Sequence, residues 1–93
     1  MSYRMPERMA WYLEDEPGTD LRVFLLPLPD GQPCVLEGVA ALIWLVAADG
    51  EDAVTSVVEA TGADRASVEG HVLAYLDTLV EGNLLDRPAR WPT

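Results

Sequence analysis

The spacing of apolar residues changes along this chain. In its first third they form short runs separated by turn-forming residues, a pattern that predicts β-strands. The predicted strands are Met9–Leu13, Leu21–Leu26 and Cys34–Leu36. The stretches between them, 14–20 and 27–33, hold the prolines, glycines and acids typical of turns. Because Pro33 cannot donate a hydrogen bond to a sheet, we expect the third strand at a sheet edge.

From position 39 the apolar pattern becomes helical. Val39–Ala48 is almost wholly apolar, which predicts a helix buried on most sides. Gly50 follows it at the position that glycine favours just past a helix end. Asp52 is placed to cap a second helix, with Gly62 as its end. Trp44 in the first helix and Trp11 in the first strand are expected to anchor the core.

The third predicted helix opens at Asp64 or Ser67 and runs to about Glu81, with Gly82 as its terminator. At about 100° per residue its apolar arc is wider than one core contact needs. The central stripe is Val68, Val72, Leu76 and Leu79. Tyr75 lies at one margin. The other margin and the surface just beyond it carry Leu73, Val80, Gly70 and Asp77.

Three strands followed by three helices predict an α+β fold of the winged helix-turn-helix type. We expect one domain over residues 1–85, a flexible tail over 86–93 in which Trp91 has no assigned role, and core packing for 83–85. The last helix of such folds usually contacts DNA. Here its exposed positions include Glu69, Asp77 and Glu81, which would repel phosphate.

Charge narrows the choice of partner further. The chain has 93 residues, with 6 basic and 16 acidic side chains and a formal net charge of −10. Nucleic acids and anionic membranes are therefore disfavoured, and neutral or basic partners are favoured. The carboxylates near the first turn (Glu14, Asp15, Glu16 and Asp20) fit a solvated turn better than a docking patch.

The sequence offers no catalytic or metal-binding constellation. The single cysteine, Cys34, excludes an internal disulfide. Cys34 and His71 lack a third orienting group, so we predict neither a nucleophile–base pair nor a metal site, and we expect no cofactor. No signal peptide precedes the domain, and the longest apolar run is too short for a bilayer, which together predict a cytoplasmic protein.

Several local patterns occur together from residue 34 to residue 85. They are Val35-Leu36 before an apolar helix, an Asp49-Gly50 break, a valine-patterned second helix, and a last helix with His71-Val72, Tyr75-Leu76 and Leu79 before Asn83-Leu84-Leu85. This combination resembles the PqqD-like family, also called RiPP recognition elements. Where many members place Asn or Ser after the strand leucine as a helix cap, this chain has Glu37-Gly38.

The resemblance implies a stand-alone protein that binds the leader of a ribosomally made precursor peptide. In the family, the leader adds as a strand beside the third strand and packs against the last helix. The residues implied here are Cys34, Val35 and Leu36 for the ladder, Leu73, Asp77 and Val80 for the groove, Gly70 for close approach, and Glu81 or Asp77 for a basic leader residue. The peptide would be delivered to a leader protease, cyclase or radical enzyme, as in lasso-peptide or quinone-cofactor biosynthesis.

Other interpretations stay open at this point. A winged-helix protein acting in transcription, or an acidic adaptor, would have the same order of elements. Leu73 and Val80 could belong to the core instead of a groove. An unpaired edge strand could also join a second copy of the chain, which leaves a weak homodimer possible.

Overall fold

The computed structural model describes residues 3–15, 21–29 and 31–86. The strands are β1 (Met9–Glu14), β2 (Arg22–Pro27) and β3 (Cys34–Glu37), and the helices are α1 (Val39–Ala48), α2 (Ala53–Thr61) and α3 (Arg65–Glu81). The predicted order of three strands and three helices is confirmed. Of the expected tail only Asp86 is described, and its backbone bridges to Arg4. The rest of the tail, with Trp91, lies outside the described residues.

The strands form one antiparallel sheet in the order β1-β2-β3. Along β2 the side chains alternate, with Val23 and Leu25 buried and Arg22 and Leu26 exposed. A period of two gives the sheet an inner face toward the helices and an outer face away from them. The predicted edge position of the third strand is confirmed, since β3 pairs with β2 alone among the described strands.

Two tryptophans meet between the sheet and α1. Trp44 is buried, and its Nε1 donates a hydrogen bond of 2.8 Å to the Leu84 carbonyl oxygen. This confirms Trp44 as a core anchor. Trp11 lies with its ring centroid 5.5 Å from that of Trp44 but remains 45% exposed. The prediction that Trp11 is a core residue was wrong, because its strand is at the edge of the sheet and its ring covers Trp44 from the solvent side.

The helix ends follow local rules. Asp52 caps α2 by accepting from the backbone N–H groups of Val54 and Thr55 at 3.0 and 3.3 Å, as predicted. At the end of α3, the residue with a positive φ, at 64°, is Asn83 and not Gly82. Asn83 and Leu84 donate backbone hydrogen bonds back to the last turn of the helix, which forms a Schellman ending. Gly38 precedes α1 without a side-chain cap, as the Glu37-Gly38 sequence implied.

Helix α3 packs on α1 and α2 through the stripe that its spacing predicted. Val72, Leu76 and Leu79 are buried, and Val68 packs partly against the same core. Leu85, just past the helix, is also buried, so the predicted return of the chain onto the core is confirmed. The buried stripe fixes the rotation of α3 and leaves one apolar margin on each of its two sides. This rotation decides which of the two margins is nearer to β3.

Candidate functional site

The outer edge of β3 has backbone groups directed away from the sheet. Gly38 N–H donates to the Leu21 carbonyl at 2.8 Å, which places that pair among the hydrogen-bonded pairs of the β2–β3 ladder. Hydrogen-bonded and non-bonded pairs alternate along an antiparallel ladder. The backbones of Leu36 and Cys34 therefore face β2, and those of Val35 and Glu37 face the open edge.

This register corrects the predicted ladder. Of Cys34, Val35 and Leu36, only Val35 directs its N–H and C=O groups to the open edge, where Glu37 joins it. The backbone groups of the other two residues belong to the pairing with β2. The sequence indicates a short strand but not its hydrogen-bonding phase, so Glu37 was missed.

The side chains of β3 divide between the two faces of the sheet. Cys34 is half-buried and Leu36 is buried, and both pack with the core under the helices. Val35, 50% exposed, and Glu37 face the opposite side. A peptide strand added beside β3 would alternate in the same way, so every second side chain would be directed toward the helices.

One margin of α3 carries Val68, His71 and Tyr75. We call it the β3 flank, because Tyr75 and Cys34 of β3 both pack partly buried against the same core. Burial raises the pKa of Tyr75 above its ordinary value, and the nearby Cys34 thiol acts in the same direction. The sequence had assigned Tyr75 to the edge of the core, which its half-buried position fits, but not to the surroundings of β3.

The β3 flank continues into an apolar cavity of about 330 Å³. Its walls come from α2 and from the starts of α1 and α3: Val39, Ile43, Val57, Ser67, Val68, His71 and Val72. Val39, two residues past the end of β3, is one of these residues, so the cavity reaches the junction of β3 and α1. His71 is exposed, with Nδ1 3.0 Å from the Ser67 carbonyl oxygen. The combination of an open backbone edge and an apolar cavity suits an extended peptide with apolar side chains.

The opposite flank of α3, which we call the Tyr3 flank, consists of Glu69 and Leu73. Leu73 is 46% exposed and lines a cleft of about 510 Å³ with Tyr3, the α1–α2 turn and Arg65. Arg65 pairs with the capping carboxylate of Asp52 at 3.4 Å. The Thr55 hydroxyl is the main cause that lowers the pKa of Asp52, and backbone hydrogen bonds and Arg65 add to it.

The structure does not bring the predicted groove residues of α3 to β3. Leu73 faces the Tyr3 cleft, and Val80 is half-buried against the core. Asp77 and Glu81 are exposed farther around the helix, and Gly70 has open space where a side chain would stand, so no neighbouring element requires a glycine there. Whether any of these residues touches a peptide stays a prediction, but their position next to β3 is not supported.

Two further observations concern the whole described region. Within residues 3–15, 21–29 and 31–86, no group of three or more His, Cys, Asp or Glu side chains could hold a metal ion. None of the helices described there has the length and apolarity needed to cross a membrane.

Comparison with known proteins identifies the fold. The solved structure of TbiB1 in complex with the TbiA(beta) leader peptide matches with a TM-score of 0.73 at 22% sequence identity, over 94% of this chain and 99% of that chain. This confirms the winged-helix α+β fold that the order of three strands and three helices predicted. No family model and no curated protein matches the sequence.

Proposed function

We propose that this chain binds the leader segment of a precursor peptide, which adds as a strand beside β3, and delivers it to a separate maturation enzyme. The observation that carries the proposal is the open backbone edge formed by Val35 and Glu37, together with an apolar cavity lined by Val39 just past β3 and by α3. The shared fold with a protein solved in complex with a leader peptide supports it. Delivery to a leader protease, cyclase or radical enzyme follows from the family resemblance.

Two kinds of contact would supply affinity. Strand addition pairs the backbone groups of Val35 and Glu37, and each hydrogen bond contributes about 1 kcal/mol net. Because these are backbone hydrogen bonds, they depend little on the sequence of the leader. An apolar leader side chain that enters the cavity beside His71 would contribute roughly 1.5–3 kcal/mol. Backbone pairing would thus hold the peptide, and the cavity would select among peptides.

Charge sets the kind of leader that fits best. With a net charge of −10, the protein favours a leader that is neutral or carries basic residues. The same charge argues against DNA as the partner of α3, whose exposed positions include Glu69, Asp77 and Glu81. Added salt should therefore weaken leader binding only modestly, since most of the expected contacts are backbone bonds and apolar burial.

A proline placed on the open edge tests strand addition directly. Val35→Pro removes an N–H that faces away from β2, so the sheet loses no internal bond. It also removes one hydrogen bond to an added strand and crowds the edge. We expect leader affinity to fall at least about tenfold, or about 1.4 kcal/mol. The measurement is an NMR titration of the labelled protein with leader peptides encoded beside its gene.

Leu13→Pro is the matched control. Leu13 lies on β1, and the ladder places its N–H on the other open edge of the sheet. This variant should bind the leader like the natural sequence, and thermal melts should show both variants folded. Equal affinity in the two variants would show that β3 is not the binding edge, and a folded natural protein without saturable shifts would end the leader proposal.

A further inference from the structure

The outer face of the sheet is apolar where a solvated face would be polar. Tyr12, Phe24 and Val35 are in register across the three strands, and Leu26 lies next to them. Tyr12 is 63% exposed, Val35 50% and Leu26 36%, and the Tyr12 and Phe24 ring centroids are 6.1 Å apart. We call these four residues the outer apolar face. Because they point away from the helices, packing of the core does not account for them.

One end of this face is bordered by charge. Arg22 lies 3.6 Å from a Glu14 carboxylate oxygen and 2.9 Å from one of Glu37. Two carboxylates around one guanidinium leave this border net negative, in agreement with the charge of −10 for the whole chain. A surface that fits here would bring basic side chains to the border and apolar side chains to the centre.

Size and charge argue against a second copy of this chain as the occupant. Three strands about 4.8 Å apart and about six residues long give a face of roughly 300 Å². Stable protein complexes bury about 800 Å² on each partner, and obligate dimers bury more. Two copies would also bring two acidic borders and two net charges of −10 together. A partner with a basic border, in a transient complex for which a small buried area suffices, fits both observations.

We propose that the outer apolar face docks the maturation enzyme that receives the leader, through an apolar patch of that enzyme bordered by Lys or Arg side chains. This inference rests on the proposed function. Only Val35 of the outer apolar face belongs to β3, and it contributes its side chain, so an enzyme on this face leaves the backbone groups of the open edge accessible. Peptide and enzyme can then be held at the same time. Tyr12 is the most exposed residue of the face, and exposed tyrosines are typical of residues that dominate binding energy at interfaces.

The test measures binding of each purified maturation enzyme encoded beside this gene, by biolayer interferometry, to the natural protein and to Tyr12→Ser. Tyr12 is mostly exposed, so the substitution should not disturb the fold. We expect one enzyme to bind, and Tyr12→Ser to lower its affinity about tenfold or more. Leu73→Ser is the matched control: an apolar side chain of similar exposure, on α3, whose loss should leave enzyme binding unchanged.

The outcomes separate this proposal from the leader proposal. Leader affinity, measured in parallel, should be the same for Tyr12→Ser and the natural protein. If no enzyme binds, or if Tyr12→Ser binds as well as the natural protein, the docking face is refuted whatever the leader does. Concentration-dependent dimerisation that Tyr12→Ser abolishes would identify a second copy as the occupant and would also refute it. Failure of leader binding alone would refute the proposed function and not the docking face.

Discussion

The two flanks of α3 differ in what lies against them. The Tyr3 flank faces a cleft whose walls include Tyr3 and the Asp52–Arg65 ion pair. The β3 flank borders a cavity with almost wholly apolar walls, which reaches Val39 just past the open strand β3. The two flanks lie on opposite sides of the buried stripe that contains Val72 and Leu76. Both flanks carry an apolar residue.

From this difference we infer that exposure alone does not locate the proposed binding site. Leu73 is a large apolar residue of α3 that is 46% exposed. In the cleft beside it, however, the Asp52 carboxylate already accepts hydrogen bonds from the Val54 N–H and the Thr55 hydroxyl. Near the β3 flank, backbone groups of Val35 and Glu37 are directed to solvent and can be satisfied by an incoming strand. Binding is expected where unused hydrogen-bonding groups and apolar surface occur together.

The largest effect should come from placing a carboxylate on one flank or the other. His71→Asp and Leu73→Asp are both exposed helix positions two residues apart, on opposite sides of the stripe. We expect His71→Asp to lower leader affinity about tenfold, because it puts a charge beside the cavity that receives an apolar side chain. Leu73→Asp should change affinity less than about twofold. Isothermal titration with the leader peptide measures both.

Denaturant unfolding of the two variants is the control, and both should stay within about 0.5 kcal/mol of the natural protein because both sites are on the surface. The apolar arc of the sequence alone predicts the reverse order of affinities, with Leu73 in the groove. If Leu73→Asp is the weaker binder, that earlier placement is right and the distinction between the flanks is lost.

Much of the fold follows from local rules in the sequence. The Asp52 cap, the Gly50 and Gly62 helix ends and the stripe of Val72, Leu76 and Leu79 were each predicted from spacing and residue type. Each depends on neighbours within a few positions, which a sequence displays directly. The exposure of Trp11 could not be predicted, because it depends on how far α1 covers the first strand.

The candidate site was less accessible to prediction, because it depends on relations between distant elements. Shifting the β2–β3 register by one residue would exchange Val35 for Leu36 at the open edge. Which flank of α3 meets β3 depends on how the helix rotates as it packs on α1 and α2. The sequence marks both margins of the arc as apolar, and the margin with Leu73 was assigned to the groove, whereas in the structure Leu73 lines the cleft with Tyr3.

The next prediction concerns stability and tests the structural character of the Tyr3 flank. Asp52→Ala removes the α2 cap and its pair with Arg65, and should lower the free energy of unfolding by about 1 kcal/mol while leaving leader affinity unchanged. The pKa of Asp52 in the folded protein lies below its ordinary value of 3.8. Its ionised form therefore stabilises the fold above that pH, and this contribution is lost as the pH falls through the folded pKa.

Urea unfolding at neutral pH and at about pH 3 measures this difference, and the gap between natural protein and Asp52→Ala should narrow in acid. Asp52→Asn is the matched control, since asparagine also caps helices well and should lose less stability than alanine at neutral pH. A loss of leader affinity in Asp52→Ala, with the fold intact, would place the peptide on the Tyr3 flank.

The smallest expected effect tests whether Tyr75, on the β3 flank, lies near Cys34 of β3. Cys34→Ser keeps the volume of the side chain but removes the ionisable thiol, so the pKa of Tyr75 should move down toward its ordinary value of 10.0. It should remain above that value, because burial of the ring is the larger cause. The Tyr75 ring carbon resonance, followed by NMR across alkaline pH, reports the change. Leu73→Ala, on the other flank, should leave the pKa of Tyr75 where it is. An unchanged titration in Cys34→Ser would mean that Tyr75 does not interact with β3, and the two flanks would then be distinguished by the cavity alone.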